Sequence, residues 1–261
     1  EYNKLMGTSA TGVITGKPVG FGGSLGRTEA TGFGVSVVAR EAAKKLGINM
    51  KGAKVAIQGF GNVGSYTVKN VQGQGAKVVA VGEWCKEKGT YAVYNENGLD
   101  YQDLAAYMAK NGNLTGYPKA KEISLDEFWA LDVDIMIPAA LENAVTAEVA
   151  EKINAKLVCE AANGPLTPGA DEVFARRGIT VTPDILTNAG GVTVSYFEWV
   201  QNLYGYYWGE SEVREKEEIA MVNAFNDIWR IVEEYKVPVR KAAYMHSVKK
   251  VADTMKLRGW Y

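Results

Sequence analysis

From Arg27 onward the apolar positions fall at helical intervals: Val35, Val38, Ala39, Ala42 and Leu46 share one face, and Gly47 is placed to end the helix. Residues 54–58 form a short apolar run that reads as a buried strand. A helix follows from Asn62 to about Gln72, with Val63, Thr67 and Val71 spaced by four. "KVVAV" (77–81) is a second strand, and "GTYAVYNENGLD" (89–100) reads as a small hairpin, because β-formers precede Asn97-Gly98. The alternation continues with a helix over about 100–109 and a strand in "DIMIPAA" (134–140). A helix capped by Thr146 runs to about Ile153, and "KLVCEAA" is the next strand. Thr167-Pro168 opens a helix to Arg177, "ITVTP" is a further strand, and the helix "VTVSYFEWVQNLYG" starts behind two glycines. After Gly209 the strands stop. One long helix spans 211–235 with Met221, Phe225, Ile228, Trp229 and Val232 on one side. Val237-Pro238 breaks it, and a last helix carries Val248, Val251, Ala252 and Met255. This order predicts an α/β protein, a doubly wound and mostly parallel sheet with a C-terminal helical extension.

The junction of the first strand and its helix, "VAIQGFGNVGSYTVKN" (55–70), places three glycines where a dinucleotide-binding turn needs them. Gly59 permits the tight turn, Gly61 lets the backbone approach a pyrophosphate, and Gly64 lets the helix pack on the strand. The helix N-terminus then offers free N–H groups and partial positive charge to the phosphates. Glu83 lies 24 residues beyond Gly59, just past "KVVAV". That is near the spacing of about 20 expected for an acid that binds the adenosine ribose and repels a 2′-phosphate. The unit is therefore Rossmann-like and expected to bind NAD, with Lys86 and Lys88 near enough to keep NADP open. Polar clusters also follow three later strands: "PAALEN", "EAANGPLT" and "PDILTNAGGVTVS". Strand C-terminal ends are where open α/β sheets bind ligands. Asn143, Asn163 and Asn188 can each bond a carboxamide or ribose there. Any one of them alone could equally cap a loop; three together favour a ligand role.

Composition narrows the chemistry. With 29 basic and 30 acidic residues the net charge is −1, so no basic field suggests nucleic acid or anionic membrane as partner. No apolar run reaches the length of a membrane span, and the first residues do not read as a signal peptide. Cys85 and Cys159, isolated from one another, suggest reduced thiols and a cytoplasmic location. A single histidine, His246, argues against a multi-histidine metal site, and no metal is expected. The chain starts at Glu1 rather than Met and reads as a fragment of something longer.

"GGSLGRTEATGFGV" (22–35), "GFGNVG", "PAALEN", "EAANGPLT" and "TNAGGVTVSYFEWVQN" together closely resemble the glutamate dehydrogenases of the Glu/Leu/Phe/Val dehydrogenase family, NAD-specific bacterial type. The resemblance runs over nearly the whole chain. It implies a linker from an absent N-terminal substrate domain over 1–26, a dinucleotide-binding domain over 27–209, and helices over 210–261 that return toward the substrate domain. It places Arg27 and Thr31 beside the nicotinamide, and Phe60, Asn62 and Val63 along the dinucleotide turn. Ala139, Ala140, Asn143, Asn163 and Asn188 would hold the nicotinamide ribose and ring. Val192 and Ser195 would face the substrate, with Ser195 bonding its side-chain carboxylate; Thr31 and Ser195 could instead brace helices. The family's catalytic lysines and aspartate have no counterpart here, so the chain alone is expected to be inactive. The implied reaction of the full-length protein is the reversible oxidative deamination of L-glutamate to 2-oxoglutarate and ammonia, in a homohexamer. Two alternatives stand beside it: a leucine- or phenylalanine-type dehydrogenase, and a non-catalytic NAD-binding regulatory module.

Overall fold

The computed structural model describes residues 1–7 and 10–260. Thr8, Ser9 and Tyr261, which fall in the expected linker and C-terminal segment, lie outside the described residues. In chain order, α1 (Tyr2–Met6) and two 3-10 turns (Thr11–Val13, Val19–Phe21) precede α2 (Arg27–Lys45), β1 (Lys54–Gln58), α3 (Asn62–Gly73), β2 (Lys77–Cys85) and β3 (Gly89–Tyr94). Then come α4 (Tyr101–Asn111), β4 (Lys121–Ile123), α5 (Leu125–Trp129), β5 (Ile135–Pro138), α6 (Ala147–Lys152) and β6 (Leu157–Cys159). The chain continues through α7 (Pro168–Arg177), β7 (Thr180–Thr182), α8 (Asp184–Thr187), α9 (Gly190–Tyr204), α10 (Glu210–Tyr235) and α11 (Val239–Leu257). The expected caps form. Thr146 accepts from Val149 N–H, and Thr167 from Ala170 N–H with Pro168 in the first turn.

The strands make a seven-stranded sheet ordered β4-β3-β2-β1-β5-β6-β7. β2, β1, β5, β6 and β7 are parallel, and β3 and β4 extend one side in antiparallel pairing. Successive β1 side chains point to opposite faces. Val55 and Ile57 join a core under α2, α3 and α10, whereas Ala56 joins a core under α5, α6 and α7. The register shifts between Val55 and Ala56, from Val78 to Ala80. That irregularity places Val79 and Ala80 in the same core.

The hairpin differs from the sequence expectation. β2 runs on to Cys85, so Glu83 lies within the strand, and the chain reverses over residues 86–88 to pair Cys85 with Gly89. Asn97-Gly98 makes a different turn, in which Gly98 N–H donates to Asn95 O and Leu99 N–H to Val78 O, returning the chain to α4. β4 and the short helix α5, which the sequence pattern did not announce, close this side. α10 packs on α2 and buries Met221, Phe225, Ile228 and Trp229. α11 buries Val239, Ala242 and Ala243 in its first turns, while Val248 and Val251 of the expected apolar face are exposed.

Candidate functional site

The order of strands reverses between β1 and β5, since β1 leads through α3 to β2 on one side while β5 lies on the other. A crevice opens there at the strands' C-terminal ends. Gly59 follows β1 with φ +100°, and a Cβ on it would come within 3.0 Å of Ala139 O. A Cβ on Gly64 would lie 1.9 Å from Gly59 O, so only glycine lets α3 seat against the turn. Gly61, the N-cap of α3, has φ −71°, and a Cβ there would meet nothing within 4 Å. α3 therefore begins without a side-chain cap beneath open space. This is the arrangement in which backbone N–H groups meet an anion.

One chamber of the crevice, about 470 Å³, is lined by this turn together with Asn62, Val63, Glu83, Trp84, Thr90 and Leu125. Glu83 is held from two directions: Oε2 accepts Phe60 N–H at 3.0 Å and Oε1 accepts Trp84 N–H at 2.9 Å. Each oxygen retains lone-pair capacity for a ligand hydroxyl. Phe60 contributes its backbone here, but its ring is buried in the core and does not line the turn as expected. Lys88 pairs with Glu122. Trp84, Thr90 and Leu125 complete this lining, and of the three only Trp84 carries a signal in the sequence, since it directly follows Glu83.

A second chamber of about 720 Å³ shares Val63, Ala139, Ala140 and Leu141 with the first. Arg27 and Thr31 reach it from α2, Asn163 from beyond β6, Asn188 from the end of α8, and Val192 and Ser195 from α9. Arg27 Nε donates to Ser195 Oγ at 2.8 Å, and Ser195 Oγ donates to Gly191 O at 3.0 Å. The Ser195 proton is thus committed to its own helix, and Arg27, rather than Ser195 alone, is the group suited to an anion. Gly191 makes room for α2, since a Cβ on it would lie 2.3 Å from Thr31 Oγ1. Asn188 Nδ2 donates to Asn163 Oδ1 at 2.7 Å, so the two amides act as a pair. Asn143, like Phe60 and Gly64, is an expected residue that lines neither chamber. It is exposed and has φ 54°; its N–H donates to Gly164 O at 2.8 Å. Its part is to close the loop behind Asn163.

Behind the α9 N-terminus lies Glu217 of α10, 2% exposed, whose Oε1 would sit 2.4 Å from a Cβ on Gly190. This oxygen is buried and has no hydrogen-bond partner among the described residues. Burial pushes the carboxyl up to about 9, only partly opposed by Arg214 and Arg27. Glu29 and Glu210 share the small cavity beside it. Because the folded value lies above the unfolded one, the folded chain keeps a proton that the unfolded chain loses. Stability from this group falls as pH rises from about 4.5 toward about 9. Glu217→Gln, neutral in both states, should gain on the parent by on the order of 3 kcal/mol between pH 5 and 8.5. Denaturant midpoints at both pH values measure this, and a difference independent of pH would show Glu217 ionised in the folded chain.

The Glutamate/Leucine/Phenylalanine/Valine dehydrogenase family model matches residues 22–259. The chain is 74% identical over 261 residues to the NAD-specific glutamate dehydrogenase of Clostridioides difficile and 58% identical over 262 residues to that of Peptoniphilus asaccharolyticus. Both alignments take in 100% of this chain and 62% of the relative. Among solved structures, glutamate dehydrogenase from Peptoniphilus asaccharolyticus superposes with a TM-score of 0.88 at 54% identity, covering 100% of this chain and 61% of that one. The hetero-hexameric glutamate dehydrogenase from Thermus thermophilus, in a Leu-bound form, gives 0.89 at 32% identity, again over 100% of this chain and 60% of that one. The chain thus spans about three-fifths of the length of these relatives. With a match over nearly its whole length, the chain belongs to the glutamate/leucine/phenylalanine/valine dehydrogenase family.

Proposed function

We propose that this chain is the NAD-binding part of an NAD-dependent glutamate dehydrogenase. The full-length protein would convert L-glutamate reversibly to 2-oxoglutarate and ammonia in the cytoplasm, as a homohexamer. The observation that carries the reading is Glu83, clamped by two backbone N–H groups at one end of a crevice that continues over the uncapped start of α3 to Arg27 and Ser195. The crevice fits a dinucleotide: the space that a Cβ on Gly61 would enter is open. Glu83 would accept from the adenosine ribose hydroxyls, and residues 59–64 would cradle the pyrophosphate. Thr31, Ala139, Ala140, Asn163 and Asn188 would hold the nicotinamide end. NAD, when bound, supplies the hydride acceptor. The Arg27–Ser195 pair beside Val192 suits an acidic substrate better than a leucine or phenylalanine side chain, which needs an apolar contact there.

Fluorescence titration with both reduced cofactors tests this. NADH should bind more tightly than NADPH by about 1–3 kcal/mol, the scale of an unpaired or like-charged polar mismatch. Glu83→Ser should narrow the gap. Equal affinities in the parent chain, or an unchanged ratio in the variant, would refute the assigned role.

A further inference from the structure

Behind the paired Asn163 and Asn188 stands a chain of ionic contacts that ends on the last helix. Arg240, in the first turn of α11, donates from Nε and Nη2 to Asp171 on α7 at 2.8 and 3.2 Å. Its Nη2 also donates to Glu160 Oε1 at 2.6 Å, and its Nη1 lies 3.5 Å from Asp184 Oδ1. Glu160 follows β6, and its side chain is 1% exposed. Burial pushes that carboxyl up, and the Arg240 charge and Asp184 N–H oppose the shift. The other oxygen of Glu160 accepts Asp184 N–H at 2.6 Å, which fixes the start of α8. Asp184 Oδ2 in turn accepts Gly164 N–H at 2.8 Å, one residue past Asn163. The single turn of α8 ends at Asn188, whose amide bonds Asn163. Both ends of the amide pair are therefore set by groups that Arg240 holds.

We propose that Arg240 is a positioning residue for the nicotinamide end of the cofactor crevice, acting through Glu160 and Asp184 on the 161–164 loop and α8. The inference rests on the dinucleotide reading above. Arg240 does not line the crevice, so it touches no cofactor. Its planar fork serves three carboxylates at once, which a lysine ammonium on a flexible stem does not reproduce. Among the described residues, the adenosine end, built on Glu83 and the Gly59–Gly64 turn, has no hydrogen bond to Arg240, Glu160, Asp171 or Asp184. Loss of Arg240 should then disturb one end of the crevice and spare the other.

The test uses the 261-residue chain and four variants: Arg240→Met, Arg240→Lys, Asp171→Ala and Asp184→Ala. Two probes are titrated into each, NADH and ADP, which carries the adenosine and pyrophosphate without the nicotinamide riboside. Arg240→Met and Asp184→Ala should weaken NADH by about tenfold, the scale of one lost charge-assisted hydrogen bond. ADP should stay within about twofold of the parent in both, since its contacts are distant and independent. Arg240→Lys should fall between parent and Met, and Asp171→Ala, which removes a partner outside the path, should change neither probe. NADH affinity unchanged in Arg240→Met and Asp184→Ala, or NADH and ADP weakened equally, would overturn the proposal. Asp184→Ala leaves Arg240, Glu160 and Asp171 together and decides the matter if Arg240→Met does not fold. Amide hydrogen exchange over 161–164 needs no ligand and should speed up in both variants. Were the parent to bind neither probe, the dinucleotide reading would fail, while faster exchange would still support the relay and unchanged exchange would reject it.

Discussion

Gly61→Val is expected to abolish NADH binding while leaving the fold intact. Gly61 has φ −71° and ψ −163°, an extended conformation that a β-branched residue adopts without strain. Apart from its chain neighbours, no atom of the described residues lies within 4 Å of the place its Cβ would take, so no packing has to move. The same space is where a pyrophosphate must approach the first N–H groups of α3. A valine there should cost at least about 100-fold in affinity, the loss of two or more charge-assisted hydrogen bonds. The melting temperature should stay within about 4 °C, a change of no more than about 1 kcal/mol in a chain of this size. Gly64→Ala is the contrast. Its Cβ would lie 1.9 Å from Gly59 O, so it should lose several kcal/mol of stability, as overpacked and strained sites do. Titration and thermal melts on both variants separate a ligand-facing glycine from a packing one. Normal NADH affinity in folded Gly61→Val would make the turn purely structural.

The contrast also shows what could be read from sequence. The parallel core was legible because its strands are continuous apolar runs and α2 keeps a 3.6-residue period. The placement of Gly59, Gly61, Gly64 and Glu83 around one crevice was legible because it follows from spacing along one strand-helix-strand unit. The β2–β3 turn was not: residues 86–88 are Lys-Glu-Lys, and its turn residue is the single Gly89 at φ 74°, a weaker signal than Asn97-Gly98 nearby. β4 is three residues with two charges, and its strand state comes from pairing with β3. Glu217 lies in "VREKEEIAM", which reads as a solvated helix face. It is buried because Gly34 and Gly190 let α2 and α9 approach; a Cβ on Gly34 would lie 2.9 Å from Gly190 Cα. Arg27 and Ser195 are 168 residues apart, and no local period predicts their bond. Asn143 shows the same limit of local pattern. It follows a strand like the other two asparagines, but it has φ 54° and lines neither chamber, and spacing alone does not distinguish it from them.

The purified chain should bind NADH and yet oxidise no glutamate above background. Hydride transfer needs the reacting carbon held within about 3–3.5 Å of the nicotinamide, with proton-transfer groups in place. The larger chamber offers Arg27 for an anion, two paired amides, and the threonine and serine hydroxyls; among its described lining residues there is neither a lysine nor an aspartate. Its carboxylate, Glu142, belongs to an exposed loop position. Lys17, the nearest lysine in sequence to Arg27, is bound to the fully buried Glu198 and to Ile14 O, and is not free to polarise a carbonyl. The α9 surface next to Ser195 carries exposed aromatic rings as well: Tyr196 and Trp199, 57% and 42% exposed, lie 5.8 Å apart. Isolated apolar side chains are ordinary on a surface, but a cluster bordering a crevice marks a contact face. In the proposed full-length enzyme this face would meet a further domain, which would supply the lysine and aspartate and exclude water from the reacting centre. Adding that domain as a separate polypeptide should restore turnover in proportion to its occupancy, with NADH affinity of this chain nearly unchanged. Ordinary enzyme rates from the 261-residue chain alone would reject this division of labour, and Glu142 and Arg27 would then be the first residues to test for proton transfer.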